Sequence, residues 1–389
     1  MPKTVILGAA RTPIGKLGGG LSTLDATVLG ATAITAALER ASVEPEQVDH
    51  VVMGQVLQAG QGQIPSRQAQ IKAGIPKEVS SETVNKVCAS GLRATVILDQ
   101  AIRAGDVEVG VGGGMESMSQ APYLLPQARF GYRMGDAKAL DAMVHDGLTN
   151  PFSGKQMFVE ATEVGDELEL TRPDLDRWAL RSHELALAAI DDGRMADEIV
   201  AVGDVETDEG PRRGSTLEAL SRLPGLVGPE GSHTAGNAPG VNDGGGALVL
   251  ASDAWAAANG RTPLAEVVGH AQSANATGDI LSTPASAARR ALERAGLRPE
   301  DVDLWEINEA FASVALHTVR TLGLEEDRVN VNGGAVALGH PIGASGARIL
   351  GVLVHELRRR GGGYGVAAIC SGGGQGDALI LKVGGGGTA

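Results

Sequence analysis

Apolar residues in this chain follow two alternating rhythms. Short apolar runs at Thr4 to Gly8, Val48 to Met53 and Val107 to Val111 read as buried strands. Between them, apolar positions three and four apart predict helices over Asp25 to Arg40, with Leu29, Ala33, Ala36 and Ala37 on one face, and over Ser90 to Ala104. The rhythm breaks near Ser119 and resumes in the last third of the chain. There Pro284 to Ala295 is expected as a helix capped by Thr283 with proline in its first turn. Gly343 to Arg360 is expected as a helix whose basic last turn suits its dipole. Val302 to Ile307 and Val366 to Ile369 are expected strands. Strands alternating with helices predict α/β layers with mostly buried sheets.

The two rhythmic stretches echo each other. Ala37-Leu38-Glu39-Arg40-Ala41, followed by Pro45-Glu46 and Val48-Asp49, returns as Ala291-Leu292-Glu293-Arg294-Ala295, followed by Pro299-Glu300 and Val302-Asp303. Ala89-Ser90-Gly91-Leu92-Arg93 returns as Ala344-Ser345-Gly346-Ala347-Arg348, and Gly112-Gly113-Gly114 as Gly372-Gly373-Gly374. Three echoes in one order at nearly one offset indicate a duplicated chain. The expected organisation is an N-terminal half of residues 1–118 completed by 242–260, an insertion at 119–241, and a C-terminal half at 261–389. The insertion holds most of the Tyr and Phe and the turn-rich stretches Thr207 to Ser215 and Leu223 to Gly240. Insertions of this kind usually carry binding function.

Composition narrows the function. Of 389 residues 43% are apolar but only 3% aromatic, so the interior must be Ala, Val, Leu, Ile and Gly, with 56 glycines marking tight turns and close backbone approaches. A net charge of −14 argues against nucleic-acid binding, which needs a basic surface. An anionic ligand would then have to be held by a few local arginines. Two cysteines do not make a disulfide framework. The N-terminus leads straight into a strand pattern without a signal or transit segment, and no uncharged apolar stretch reaches membrane-spanning length. The expectation is a cytoplasmic protein with reduced thiols and a loose tail from Gly384 to Ala389.

Both cysteines occupy places where a thiol can work. Cys88 precedes the Ser90 helix, where N-terminal amides and the helix dipole would lower its pKa. Cys370 follows a strand and precedes Ser371-Gly372-Gly373-Gly374, where backbone N–H groups can approach a ligand. A lone cysteine is ordinarily a small buried apolar residue; here the only two thiols adjoin a helix start and a glycine run at related places in two repeats. His340, between glycines and followed by Pro341, offers a base for a thiol nucleophile. Asn308 and Glu309 end a strand, a common ligand position in α/β folds, although Asn308 also suits a helix cap. There is no phosphate-binding Walker motif, no Gly-x-Ser-x-Gly elbow and no zinc spacing; the glycines from Gly110 lack the helix and acidic residue of a dinucleotide loop.

At these residues the sequence resembles the thiolase family, essentially end to end. The carrying segments are Val84 to Leu92 around Cys88, Gly113 to Ser119, Asn308-Glu309-Ala310-Phe311-Ala312, Asn330 to Gly346 around His340, and Cys370 to Gly376. The resemblance implies a duplicated βαβαβαββ core in five α/β/α/β/α layers with an inserted loop domain. It implies acyl transfer between acyl-CoA molecules, with coenzyme A as substrate and product and no separate cofactor or metal. In that chemistry Cys88, activated by His340, takes an acyl group as a thioester. Cys370 deprotonates a second acetyl-CoA. His340 and a water held by Asn308 stabilise the enolate, and the amides of Cys88 and Gly372 stabilise the tetrahedral intermediate. It further implies substrate contacts from Arg212, Ala238, Pro239, Met157, Gln156, Leu220 and Phe311, a role in fatty acid metabolism, and a homotetramer built as a dimer of dimers. Pro239 stands where the best-known acetoacetyl-CoA members have serine, and Gln156 where they have histidine, which leaves chain-length preference open. A β-ketoacyl synthase shares the nucleophile but lacks the second cysteine. An inactive acyl-CoA-binding relative would have lost one of Cys88, His340 or Cys370.

Overall fold

The structure, a computed structural model, describes residues 2–384, so the expected tail beyond Gly384 lies outside the described residues. In chain order the principal elements are β1 (Thr4–Arg11), α1 (Ala26–Ala41), β2 (His50–Gly54), α2 (Pro65–Lys72), β3 (Ser80–Val84), α3 (Ser90–Ala104) and β4 (Val109–Ser117). After them come α4 (Met157–Glu167) and α5 (Arg172–Asp191) of the insertion, then β5 (Asn242–Ser252). The chain ends with β6 (Ala265–Ala274), α6 (Thr283–Ala295), β7 (Leu304–Ile307), α7 (Ala312–Leu322), α8 (Ser345–Arg359), β8 (Gly363–Ser371) and β9 (Gln375–Val383).

The strands run β3-β2-β4-β5-β1-β6-β9-β8-β7. In the first half β2 lies parallel to β3 and β4, while β5 is antiparallel to β4 and β1. In the second half β7 is parallel to β8, β9 is antiparallel to β8 and β6, and Trp305 makes one parallel bridge to Val329 where a counterpart of β3 would lie. One strand order and one set of senses thus occurs twice, as a duplication requires. The halves join edge to edge only at Val5–Glu266 and Ile6–Ala265.

Five layers follow from where the apolar faces meet. Leu92, Val96 and Ile102 of α3 share one core with Ile349, Leu350 and Leu353 of α8 and with both sheets. The outer face of the first half is covered by α1, and that of the second by α6 and α7. The Ala-Ser-Gly echo has its cause at the central layer. A Cβ at Gly91 would lie 2.9 Å from the Ala347 nitrogen and the Gly343 oxygen, and Gly346 abuts the Leu92 nitrogen in return. Only glycine lets the two helix starts touch backbone to backbone.

Several boundaries differ from the expectation. Pro45–Gln47 and Pro299–Asp301 form single 3₁₀ turns, so the strands start at His50 and Leu304 rather than at Val48 and Val302. Thr283 does not cap α6: Ser282 holds the cap position, and the Thr283 hydroxyl donates to the Ile280 carbonyl. Gly343 and Ala344 precede α8 as loop. Gly110 and Gly112 lie inside β4. The insertion packs on the core through α5, whose Trp178 is fully buried. Among the described residues no helix is long and apolar enough to cross a membrane.

Candidate active site

Cys88 lies in the loop that turns from β3 into α3. The loop is held by its own polar groups. The Lys86 N–H donates to Ser90 Oγ (2.8 Å), the Ser90 hydroxyl donates to the Val87 carbonyl (2.6 Å), and the Val87 N–H donates to Asn85 Oδ1 (3.0 Å). Val87 has φ of 43°, a left-handed conformation that is strained for a β-branched residue. The result is a cysteine at a helix start that is only 3% exposed. Here the expectation of a lowered thiol pKa fails. Burial pushes the Cys88 thiol up to about 12, and the negative charge of Glu116 adds to it. Loss of water is the dominant cause, so a thiolate at Cys88 needs a partner that takes its proton.

His340 is the group placed for that. Gly339, at φ of 113°, closes the short helical turn Ala335–Leu338, and the His340 N–H donates to Asn242 Oδ1 (2.9 Å). His340 Nδ1 is 2.6 Å from Ser345 Oγ, whose hydroxyl donates to the Pro341 carbonyl (3.0 Å). A hydroxyl has one proton to give. With that proton on Pro341, Nδ1 must carry its own hydrogen and Nε2 is left as the acceptor. Asn308 Nδ2 lies 3.4 Å from Nε2. Burial, with the nearby Arg348 charge, lowers the imidazole pKa to about 3, so the ring is neutral at pH 7. Asn308 caps no helix, because α7 starts at Ala312 with Phe311 in the cap position.

Cys370 is the second-to-last residue of β8, buried like Ser371 after it. Gly373 and Gly374, at φ of 74° and 69°, turn the chain back into β9. The Ser371 hydroxyl donates to the Lys86 carbonyl, and a Cβ at Gly372 would lie 3.3 Å from Val87 Cγ2, so this turn presses on the Cys88 loop. Lys86 Nζ adds a clamp, 2.5 Å from Asp377 Oδ2 and 2.7 Å from Gln272 Oε1. Burial raises the Cys370 thiol well above its usual range, and the charge of Cys88 is the next cause. The two thiols therefore sense each other.

Two buried acids frame the site. Glu116 accepts from the N–H groups of Val56 (2.9 Å), Leu57 (3.1 Å) and Gly343 (3.0 Å), and burial raises it to about 7. Glu309 accepts from Trp178 Nε1, Ser182 Oγ, Asn330 Nδ2 and the Val336 N–H, all at 2.8–2.9 Å, and so ties the insertion to the His340 segment. Sequence reading missed the role of Glu116. An acid two residues after a glycine run inside a buried strand was the available signal.

A cleft of about 170 Å³ opens onto Cys88 and His340. Gln156, Met157, Ala238, Pro239 and Phe311 lie on its wall, together with Met118, Leu148, Phe158, Leu226 and Ile342, which the sequence did not single out. The wall is almost entirely apolar. Asn308, Cys370 and Gly372 are not part of this wall. Arg212 is exposed away from this wall, and its backbone N–H donates to His183 Nδ1 (3.2 Å). The neighbouring Arg213 is paired with Asp191. Leu220 is buried in the second-half core beside Gly236 rather than on the cleft. Among the described residues no group of three or more His, Cys, Asp or Glu is arranged to hold a metal ion.

Comparison with known proteins agrees with this arrangement. Residues 4–254 match the profile of the thiolase N-terminal domain, and residues 261–383 that of the thiolase C-terminal domain. The chain is 48% identical over 381 residues to an acetyl-CoA acetyltransferase of Cupriavidus necator, covering 96% of this chain and 97% of that protein. An acetyl-CoA acetyltransferase of Pseudomonas aeruginosa gives the same identity and coverage. A probable acetyl-CoA acetyltransferase of Mycolicibacterium smegmatis is 46% identical over 375 residues, 94% of this chain and 97% of that one. With both halves matched and nearly half of all positions shared across almost the full length, this chain belongs to the thiolase family.

Proposed function

We propose that the enzyme joins two acyl-CoA molecules by Claisen condensation, acetyl-CoA to acetoacetyl-CoA in the simplest case, and cleaves 3-ketoacyl-CoA by thiolysis in reverse. One observation carries this: a thiol of the first half and a neutral imidazole of the second line a single apolar cleft, and the second thiol is buried within electrostatic reach of the first. The Cys88 proton passes to His340 Nε2, and the thiolate attacks the acyl-CoA carbonyl. Coenzyme A leaves with the proton of Cys370, the acyl group stays on the Cys88 sulfur, Nε2 keeps the proton taken from Cys88, and Cys370 is left as the thiolate. Cys370 then removes a proton from the methyl carbon of the second acetyl-CoA. The carbanion attacks the Cys88 thioester, and the C–S bond breaks as the C–C bond forms.

Burial makes both thiols weak acids, and that suits Cys370. A base that must take a proton from carbon needs a high pKa, and a buried thiolate has one. The hydrogen bonds to the enolate oxygen come from protonated His340 Nε2 and from a water held by Asn308. The amides of Cys88 and Gly372 serve the tetrahedral intermediate; one such donor is typically worth roughly 3–4 kcal/mol. Met157, Pro239, Ala238 and Phe311 would enclose the pantetheine arm, Gln156 would sit beside it, and exposed Arg212 would meet phosphate. Leu220 supports that wall from the core.

Assembly as a homotetramer is part of the same reading. The insertion exposes Phe130, Tyr132 and Met134 together, apolar surface that a second pair of subunits would cover. The same reading places the enzyme in the cytoplasm, where thiols stay reduced, and in fatty acid metabolism.

The test is incubation with acetyl-CoA, intact-protein mass measurement, and thiolysis of a ladder of 3-ketoacyl-CoA lengths. The expected result is a 1:1 acetyl adduct on Cys88 and cleavage of at least the four-carbon substrate. No adduct and no cleavage of any length would overturn the proposal.

A further inference from the structure

Behind His340 lies a buried arginine–glutamate contact that the mechanism above does not use. Arg348 of α8 and Glu306 of β7 are each 2% exposed, and their nearest polar atoms are 3.6 Å apart. The pair is poorly satisfied. Arg348 Nε and Nη1 and Glu306 Oε2 have no hydrogen-bond partner within the protein. Burial raises the Glu306 carboxyl to about 8, so the buried guanidinium faces a largely neutral acid in loose contact; that is costly, and apolar residues of similar volume would be at least as stable. Stability therefore does not account for the pair.

The remaining guanidinium nitrogen does. Arg348 Nη2 donates to Asn308 Oδ1 at 3.5 Å, and Asn308 Nδ2 in turn faces His340 Nε2. An amide side chain has a donor end and an acceptor end of nearly the same shape, and either can face the cleft. Arginine has donors only. Arg348 also stands one helical turn beyond Ser345, which holds the other ring nitrogen, so one face of α8 sets both sides of the imidazole.

We propose that Arg348 is a positioning residue that fixes the polarity of Asn308, holding its oxygen away from the cleft so that its N–H group faces His340 and the enolate site. Glu306, 3.6 Å away, holds the guanidinium in place. This inference rests on the reading of Asn308 and His340 as the groups serving the enolate.

The test compares R348K, which has donors only, with R348Q, which can donate or accept. Three readouts are needed: acetyl-adduct formation on Cys88, steady-state condensation, and exchange of acetyl-CoA methyl protons in D₂O with the enzyme already acetylated. Loss of an oxyanion donor typically costs about 100-fold or more in kcat. R348Q is expected to lose about that much in condensation and in methyl exchange, with KM changed less than about threefold and the acetyl adduct still formed. R348K is expected to regain at least tenfold of the loss. Equal rates for R348K and R348Q, or wild-type methyl exchange in R348Q, would overturn the proposal. If a single variant fails to fold, R348M/E306Q removes both ionisable groups together, and condensation within threefold of wild type in that protein refutes the idea equally. Absence of any acetyl adduct in the wild-type enzyme would instead strike the proposed mechanism.

Discussion

The Cys88 loop and the His340 loop are the same structural place visited twice. Each leads into a central-layer helix that begins Ala-Ser-Gly, and the two glycines meet backbone to backbone. Their serines have diverged. Ser90 folds back on its own loop and holds Lys86 and Val87, shaping a strained turn that presents a thiol. Ser345 reaches the imidazole and sets which nitrogen carries hydrogen. The glycine runs have diverged too. In the first half Gly112-Gly113-Gly114 stay in strand and lead to Glu116, which braces the loops. In the second, Gly373 and Gly374 take positive φ and turn the chain just past Cys370. Duplication thus supplied two copies of one helix-start geometry facing each other, and each copy took one part of the chemistry.

That division of labour can be broken at graded cost. The largest effect is expected for Cys88→Ala, which should abolish the acetyl adduct by mass and lower turnover by about 10⁴-fold or more. Cys370→Ala should leave adduct formation intact while condensation falls by about 10³-fold, inside the range for loss of a general acid–base. Equal loss of both steps in that variant would mean the two halves do not divide the reaction. Next comes the seam. Gly91→Ala puts a methyl group against the Ala347 nitrogen, and overpacking there should cost about 2–3 kcal/mol in urea unfolding. A neutral result would show that the helix starts are not in contact.

The smallest effect concerns pH. His340 titrates at about 3 in the folded protein and near 6.5 unfolded, so between those values only the unfolded chain takes up its proton. Stability from this group is present above pH 6.5 and is lost as pH falls towards 3. Because His340→Asn lacks the group, wild type should lose about 2 kcal/mol more than the variant between pH 6 and pH 4. Parallel stability curves for the two proteins would show that the imidazole is not held neutral by burial.

The strand and helix rhythm, the duplication and the segments carrying Cys88, His340 and Cys370 were all legible in the chain, because apolar periodicity and glycine-flanked polar residues are local properties. Other features were not. The helix start at Cys88 can be read from sequence, but its burial is made by neighbours from both halves, and Glu116 adds its charge. Asn308 looks like a helix cap in sequence, yet α7 starts four residues later, which leaves its amide beside His340. Arg212 and Leu220 were expected as substrate contacts, but only the fold decides that one is exposed and the other lies in the core. Sequence alone determined which elements form and which side chains have reactive chemistry, since both depend on residues close in the chain. Tertiary structure alone decided pKa values, the histidine tautomer and the composition of the cleft wall. Those depend on desolvation and on hydrogen-bond partners brought together from distant parts of the chain.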